Sequence, residues 1–211
     1  MYIPLRVHGH HSLLTGTDSP AQLLSRAREL NLGALALTDV DGDGDLDLVV
    51  TSDPLEIEGI TYVPLFTYEA LLAVSNQHPL STVNHIRPGD LESEVLITYP
   101  VERDRLDIFK QFLDPAGIEP ASVRTAEMTV MMMQLVASGR GVCCLPNWAM
   151  AEYLHKGYVT ARRLGPEGLF GTLYAAVRDD MMEMPYLQDF LLTAKDTSFA
   201  TLEGVSARSG D

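Results

Sequence analysis

Three clusters in the sequence hold residue types that can do chemistry. His8, His10 and His11 share one short loop. Neutral imidazole is the commonest nitrogen ligand for metals, and His8, His10 and Asp39 fall at the ends of two expected strands, so metal binding is the first chemistry to weigh. Asp39-Val-Asp41-Gly-Asp43-Gly-Asp45-Leu-Asp47 alternates carboxylates with small residues. Oxygens at that spacing can wrap a hard cation, and Asp39, Asp41, Asp43 and Asp47 form a weak Ca²⁺ alternative. Val50 stands at the twelfth position, where a helix-loop-helix calcium loop needs Glu, so a solvated acidic turn is the plainer reading. The third cluster is Thr51-Ser52-Asp53. It follows a β-branched run and precedes Pro54, which places small polar groups at the end of a strand.

These groups need elements to position them. Ile3, Leu5 and Val7 alternate through a short strand, and Ser19-Pro20 opens a helix over 20–30 with Leu23, Leu24, Ala27 and Leu30 on one side. Ala34–Thr38 is a second strand, so residues 1–44 read as one β-α-β unit. Leu46, Leu48 and Val50 then mark a strand. Ile60–Tyr68 is extended and broken by Pro64, and Leu71–Val74 continues as a further strand. Pro88–Leu91 is a short helix and Val95–Tyr99 a strand. Apolar spacing predicts a helix from Arg103 to Leu113. Strands follow at Ala121–Thr125, Val142–Leu145, Tyr158–Leu164 and Leu169–Val177. Helices are expected at Met128–Ser138, Trp148–His155 and Pro185–Ala194, with a loose polar tail from Asp196. Alternating strands and helices that reverse in mid-chain imply a two-lobed α/β fold. Residues 1–44, 45–67 and 164–205 are assigned to the first lobe, 68–163 to the second, and 206–211 to a loose end.

A cleft between two α/β lobes is the default ligand site. Thr51, Ser52 and Asp53 come from the first lobe, and Thr67 and Tyr68 from the crossover. Tyr99-Pro100 closes a strand and is expected to open a helix whose amides attract an amino-acid carboxylate. Thr125 and Glu127 precede the next helix. Glu127 or Asp53 can pair with an ammonium group. The loop carrying His8 and His10 is expected at the mouth of the same cleft.

The chain has 211 residues and a formal net charge of -14. Phosphate contacts need clustered Lys and Arg, so this stretch is not expected to bind a nucleic acid by itself. No apolar run is long enough to span a membrane, and Met1 is not followed by a signal-peptide pattern. Cys143 and Cys144 are neighbours in a strand and point to opposite faces, so they are read as packed thiols in a reducing, cytoplasmic setting. Met128, Met131, Met132 and Met133 cluster on one helix and are read as core. No catalytic residue and no cofactor is expected, and the reading leaves room for a homodimer.

From Asp45 to about Asp179 the order of motifs resembles the effector-binding domain of LysR-type transcriptional regulators. The marks are Gly44-Asp-Leu-Asp-Leu-Val49, His78-Pro-Leu80, Leu135-Val-Ala137 with Gly139 and Gly141, and Leu145-Pro146. Val50-Thr-Ser-Asp53, Leu96-Ile-Thr-Tyr-Pro-Val101, Phe112-Leu-Asp-Pro-Ala-Gly117 and Leu173-Tyr-Ala-Ala-Val-Arg178 resemble the homocysteine-responsive branch that controls methionine biosynthesis. The resemblance implies a type II periplasmic-binding-protein-like fold and an amino-acid-like effector. The helix-turn-helix of that family is not seen here. Residues 1–42 resemble instead the start of the polymerase-and-histidinol-phosphatase (PHP) domain of DNA polymerase III α subunits, which implies a chimera. Arg6 and Val40 replace two of that family's metal ligands, so the implied phosphoesterase is inactive. The acidic turn also resembles the calcium loop of FG-GAP repeats. Two alternatives to effector sensing stay open: a PHP-type metal phosphoesterase, and a structural module without a ligand.

Overall fold

The computed structural model describes residues 48–207. The histidine loop, the β-α-β reading of residues 1–44 and the acidic turn through Asp47 lie outside the described residues. The described residues form two compact units, one holding Tyr68–Gly171 and the other the described residues before and after it.

The Tyr68–Gly171 unit is built on strands with apolar side chains on both faces. β2 (Ile60–Val74) enters it at Tyr68 and meets β6 (Val142–Pro146) antiparallel, with Leu71 opposite Leu145 and Ala73 opposite Cys143. Its other neighbour over Leu71–Val74 is β7 (Thr160–Leu164), also antiparallel, and β3 (His85–Ile86) lies parallel to β7. β4 (Val95–Thr98) runs parallel to β6 and to the edge strand β5 (Ser122–Thr125). Side chains alternate across the sheet, so each strand feeds two cores. Leu72, Val74, Leu96 and Val142 pack on one face with Ile108, Phe109 and Leu113. Ala73, Ile97, Cys143 and Leu145 pack on the other with Met132, Met133 and Val136 of α1 (Thr129–Ala137) and Met150 of α2 (Asn147–His155). Each fully buried apolar side chain contributes roughly 1.5–3 kcal/mol.

Cys143 and Cys144 are free thiols, and their register sends them to opposite faces. Burial pushes the Cys143 thiol well above its ordinary value and Cys144 up to about 12. Both stay protonated near neutrality. The methionines of α1 divide. Met132 and Met133 are fully buried, whereas Met128 and Met131 are about half exposed at 51% and 54%.

Both helices close in the same way. After α1, Gly139 has φ +69°, and the N–H groups of Gly139 and Arg140 return to the carbonyls of Val136 and Leu135, each at 2.9 Å. After α2, Gly157 has φ +66°, and Gly157 and Tyr158 return to Leu154 and Tyr153 at 3.0 Å. This left-handed closure satisfies the last carbonyls without a side chain.

In the other unit, β1 (Leu48–Thr51) pairs antiparallel with β8 (Leu169–Arg178), Leu48 opposite Val177. The Thr61 hydroxyl donates to Asp179 Oδ1 at 2.6 Å, and the Tyr62 and Tyr174 rings meet edge to face. α3 (Pro185–Thr201) buries Leu187, Phe190 and Leu191.

Three expectations need correction. Pro64 does not break the strand, because β2 is continuous from Ile60 to Val74. β6 and β7 pair with β2 only from Ala70 and Leu71 onward, so Pro64 lies outside both of those ladders; β8 is the remaining sheet neighbour of β2. The expected helix from Arg103 to Leu113 is not one α-helix. Arg103–Arg105 is a 3₁₀ turn, Ile108–Leu113 a π-helical segment, and Asp114–Ala116 another 3₁₀ turn. The Asp114 N–H reaches five residues back to Phe109, Pro115 has no N–H to extend the spiral, and Gly117 ends it at φ +67°. The tail is not loose from Asp196: α3 runs to Thr201, and Ser206 exchanges two backbone hydrogen bonds with Thr67 at 2.8 and 2.9 Å.

Gly141 is the tightest point beside β4. It has φ +152°, and a Cβ there would lie 2.6 Å from the Val95 carbonyl oxygen and 3.0 Å from Ile97. Gly141→Ala is therefore expected to destabilise the protein by about 2 kcal/mol or more in urea denaturation. Gly89→Ala is the control, with nothing within 4 Å of its Cβ position, and is expected to stay within about 0.5 kcal/mol of the parent.

Candidate functional site

β6, β4 and β5 are parallel, so their carboxyl ends fall on one edge of the Tyr68–Gly171 unit. Ligands of open α/β sheets bind at such edges. Thr98 ends β4 opposite Thr125 at the end of β5, and the Ala126 N–H donates to the Thr98 carbonyl at 2.9 Å. That bond brings the two exits together.

Tyr99 follows Thr98. Its hydroxyl lies 2.6 Å from the Thr129 hydroxyl in the first turn of α1. Met128 occupies the N-cap position and offers no side-chain acceptor, and no acidic residue stands in the first turn. The N–H groups of Met131 and Met132 both return to the Met128 carbonyl, at 3.0 and 3.1 Å. The earliest amides of α1 are thus left without a side-chain cap, and the helix dipole places partial positive charge there. Thr125 and Glu127 are exposed on the same edge, with Glu127 two residues before α1 begins. An oxyanion at the helix end, a hydroxyl pair beside it and a cation near Glu127 would all find complementary groups.

Pro100 is exposed, and no helix starts at it. The Val101 N–H instead folds back on the Tyr99 carbonyl at 2.9 Å, a three-residue turn. The expected helix end therefore belongs to α1 and not to the segment after Pro100. Arg103 anchors that segment. Its guanidinium donates to Asp114 and Glu119 and lies 4.0 Å from the Phe109 ring centroid. The Asp114 and Glu119 carboxylates push the Arg103 pKa further up.

The remaining site candidates divide as follows. Tyr68 is buried at 4% exposure, and a Cβ on Gly171 would come within 2.6 Å of its ring. Thr51, Ser52, Asp53 and Thr67 belong to the other unit. There the Thr51 hydroxyl accepts the Asp53 N–H at 3.1 Å, and the Thr67 hydroxyl lies 3.5 Å from that of Thr172. His8, His10, Asp39, Asp41, Asp43 and Asp47 lie outside the described residues. Among the described residues no three His, Cys, Asp or Glu side chains gather as a metal site, and no helix is long and apolar enough to cross a membrane.

Thr129 is the site residue that sequence reasoning misses. It lies thirty positions from Tyr99, and nothing local pairs them.

A sequence model of the LysR substrate binding domain matches residues 35–198. The chain belongs to the LysR substrate-binding domain family. It is 42% identical over 152 residues to the HTH-type transcriptional regulator MetR of Escherichia coli (strain K12), covering 72% of this chain and 47% of that protein. The Haemophilus influenzae MetR is 41% identical over 160 residues, covering 76% of this chain and 52% of that protein. The chain spans about half the length of these curated relatives. The regulatory domain of MetR, a LysR family regulator from N. meningitidis, superposes with TM-score 0.74 at 35% identity, covering 88% of this chain and 92% of that one. The effector binding domain of QuiR in complex with shikimate shares the fold alone, with TM-score 0.61 at 17% identity over 86% of this chain and 91% of that one. The fold is thus the α/β LysR-domain type, similar to type II periplasmic binding proteins. This is a ligand-binding family, and the MetR relatives regulate transcription and are not enzymes. The family match starts at residue 35, so the second strand of the PHP-like reading, Ala34–Thr38, falls almost wholly inside the LysR domain.

The Tyr99–Thr129 contact is expected to behave as one coupled pair. Tyr99→Phe and Thr129→Val should each cost about 1 kcal/mol in urea denaturation, and the double variant should cost less than their sum by about 0.5–1 kcal/mol. Strict additivity would separate the two hydroxyls.

Proposed function

We propose that this chain is the effector-sensing domain of a MetR-like transcriptional regulator and that its effector is amino-acid-like, with homocysteine the first candidate. The observation that carries the reading is the α1 amino terminus, which lacks a side-chain cap and stands beside the Tyr99–Thr129 hydroxyl pair at the carboxyl ends of β4 and β5. An α-carboxylate suits those amides. Glu127 suits the ammonium. The identity to MetR sequences supports the branch. Thr51, Ser52, Asp53, His8 and His10 are proposed as further effector contacts on the sequence reading alone. A regulator of transcription works beside DNA, so the cytoplasm is its proposed place. The PHP-like origin of residues 1–42, and with it a chimera, rests on the sequence resemblance.

Calorimetric titration with homocysteine, methionine and homocysteine methyl ester tests the assignment. Homocysteine is expected to bind, and the ester, which lacks the carboxylate, to bind at least about tenfold more weakly. Glu127→Gln should weaken homocysteine by a similar factor. No heat from any amino acid at millimolar concentration, or equal affinity for acid and ester, would overturn it.

A second reading concerns assembly. β5 is an edge strand with Val123 exposed, and Met128, Val130 and Met131 are exposed beside it on α1. Open edges and apolar surface invite pairing. We propose that this face joins two copies of the chain. Light scattering should show a dimer at micromolar concentration, and Met131→Glu should shift it towards monomer. A parent chain that is monomeric at every concentration would exclude the dimer.

A further inference from the structure

The opposite, amino-terminal side of the same parallel strands carries a concavity of about 430 Å³. Ser93, Glu94 and Val95 at the start of β4, Arg124 of β5, and the turn Gly139-Arg140-Gly141 line it. Effector contacts assigned above lie at the carboxyl ends, so this is a separate place. We propose that it is a binding site for a small-molecule oxyanion, a phosphate or a carboxylate, held by Arg124 and Arg140.

Charge pairing carries the inference. The chain has 29 acidic and 15 basic residues, so an arginine rarely lacks a carboxylate. Arg87 is paired with Asp90, Arg103 with Asp114 and Glu119, Arg163 with Glu69, and Arg178 with Asp180. Arg162 donates to the carbonyls of Ser81 and Ala161. Among the described residues, Arg124 and Arg140 are the two arginines with no side-chain hydrogen bond or ion pair, and both line this concavity.

Each arginine is placed by backbone. Arg124 sits opposite Ile97 in the β4–β5 ladder. Arg140 sits in the turn that closes α1, between two glycines of positive φ, and Gly141 packs against the Val95 carbonyl with no room for a Cβ. The last carbonyls of α1 are already satisfied by the Ser138, Gly139 and Arg140 N–H groups, so the Arg140 side chain is not needed as a cap. The carboxylate within the concavity is engaged by His78, which also lines it. Glu94 Oε2 lies 3.1 Å from His78 Nε2. His78 Nδ1 accepts the Leu80 N–H at 3.2 Å, which leaves the proton on Nε2 to donate to Glu94. Two guanidiniums and the Ser93 hydroxyl remain for a ligand. The volume suits a small molecule, and the polar lining suits an anion. The negative chain weakens its attraction for any anion, so binding is expected at millimolar concentration and to fall with salt.

Amide chemical shifts of the isotope-labelled 211-residue chain provide the test. One arm adds inorganic phosphate and the other succinate, with ionic strength held constant by chloride. Saturable shifts at Ser93, Gly139, Arg140 and Gly141 in either arm support the site, and the tighter arm names the anion class. Arg124→Gln and Arg140→Gln should each weaken it about tenfold, while Arg124→Lys and Arg140→Lys should retain part of it. No saturable shift in either arm overturns the proposal. So do shifts that survive both glutamine variants, or a loss of self-association in those variants without any effect of the anions, which would give the arginines to a second copy of the chain.

Discussion

The Tyr68–Gly171 unit depends on one constraint: Leu71–Val74 must be buried on both faces and hydrogen-bonded on both edges. Leu72, Ala73 and Val74 are fully buried, and β6 and β7 flank them. A strand in that position tolerates no polar side chain, because neither face offers it a partner. The same demand spreads outward. β6 and β4 must present small or branched apolar groups to both cores, and Gly141 must lie flat against Val95 for β6 to approach β4. The helices α1 and α2 are then set by the core they cover, and the edge that carries Tyr99, Thr125 and Thr129 is set by where these strands end.

Strands of this kind announce themselves in sequence, and this is why much of the fold was legible. Leu71-Leu-Ala-Val74 and Val142-Cys-Cys-Leu145 are short apolar runs bounded by polar or proline stops, the pattern of doubly buried strands. The opposed facing of Cys143 and Cys144 follows from strand period alone. Gly139 and Gly157 mark the ends of their helices because a left-handed residue closes each. The illegible parts involve competition that local pattern does not encode. Pro64 is compatible with a strand only where its missing N–H costs no ladder bond, and that is a property of the sheet and not of the local sequence. The helical period around Ile108–Leu113 is right, but whether the spiral closes four or five residues back depends on how Phe109 and Leu113 pack and on Pro115.

The candidate site was legible in part for the same reason. Strand ends can be read from sequence, and the sequence puts Tyr99, Thr125 and Glu127 just where β4 and β5 end. The helix end was not legible, because Tyr99-Pro100 carries a proline at a position that opens helices as readily as it makes a turn. What decides between them is the Val101 N–H folding onto the Tyr99 carbonyl, together with Arg103 being held by Asp114 and Glu119. Thr129 reads as an ordinary helix-start residue until the sheet brings Tyr99 to it.

The two ends of the parallel strands differ in how they can meet an anion, and the difference is physical. At the carboxyl ends, α1 offers backbone amides and hydroxyls but no basic side chain in its first turn. Such donors are directional and their field falls off within about one turn, so they select by shape. At the amino ends, Arg124 and Arg140 offer full charges on long, exposed side chains, which attract at longer range and are screened by salt. In a chain of net charge -14 the first arrangement sets a carboxylate, Glu127, close to a helix end, a charge pattern complementary to a small zwitterion. The second is complementary to a net anion. One sheet therefore presents two chemically distinct ends, one of backbone amides and hydroxyls and one of guanidiniums.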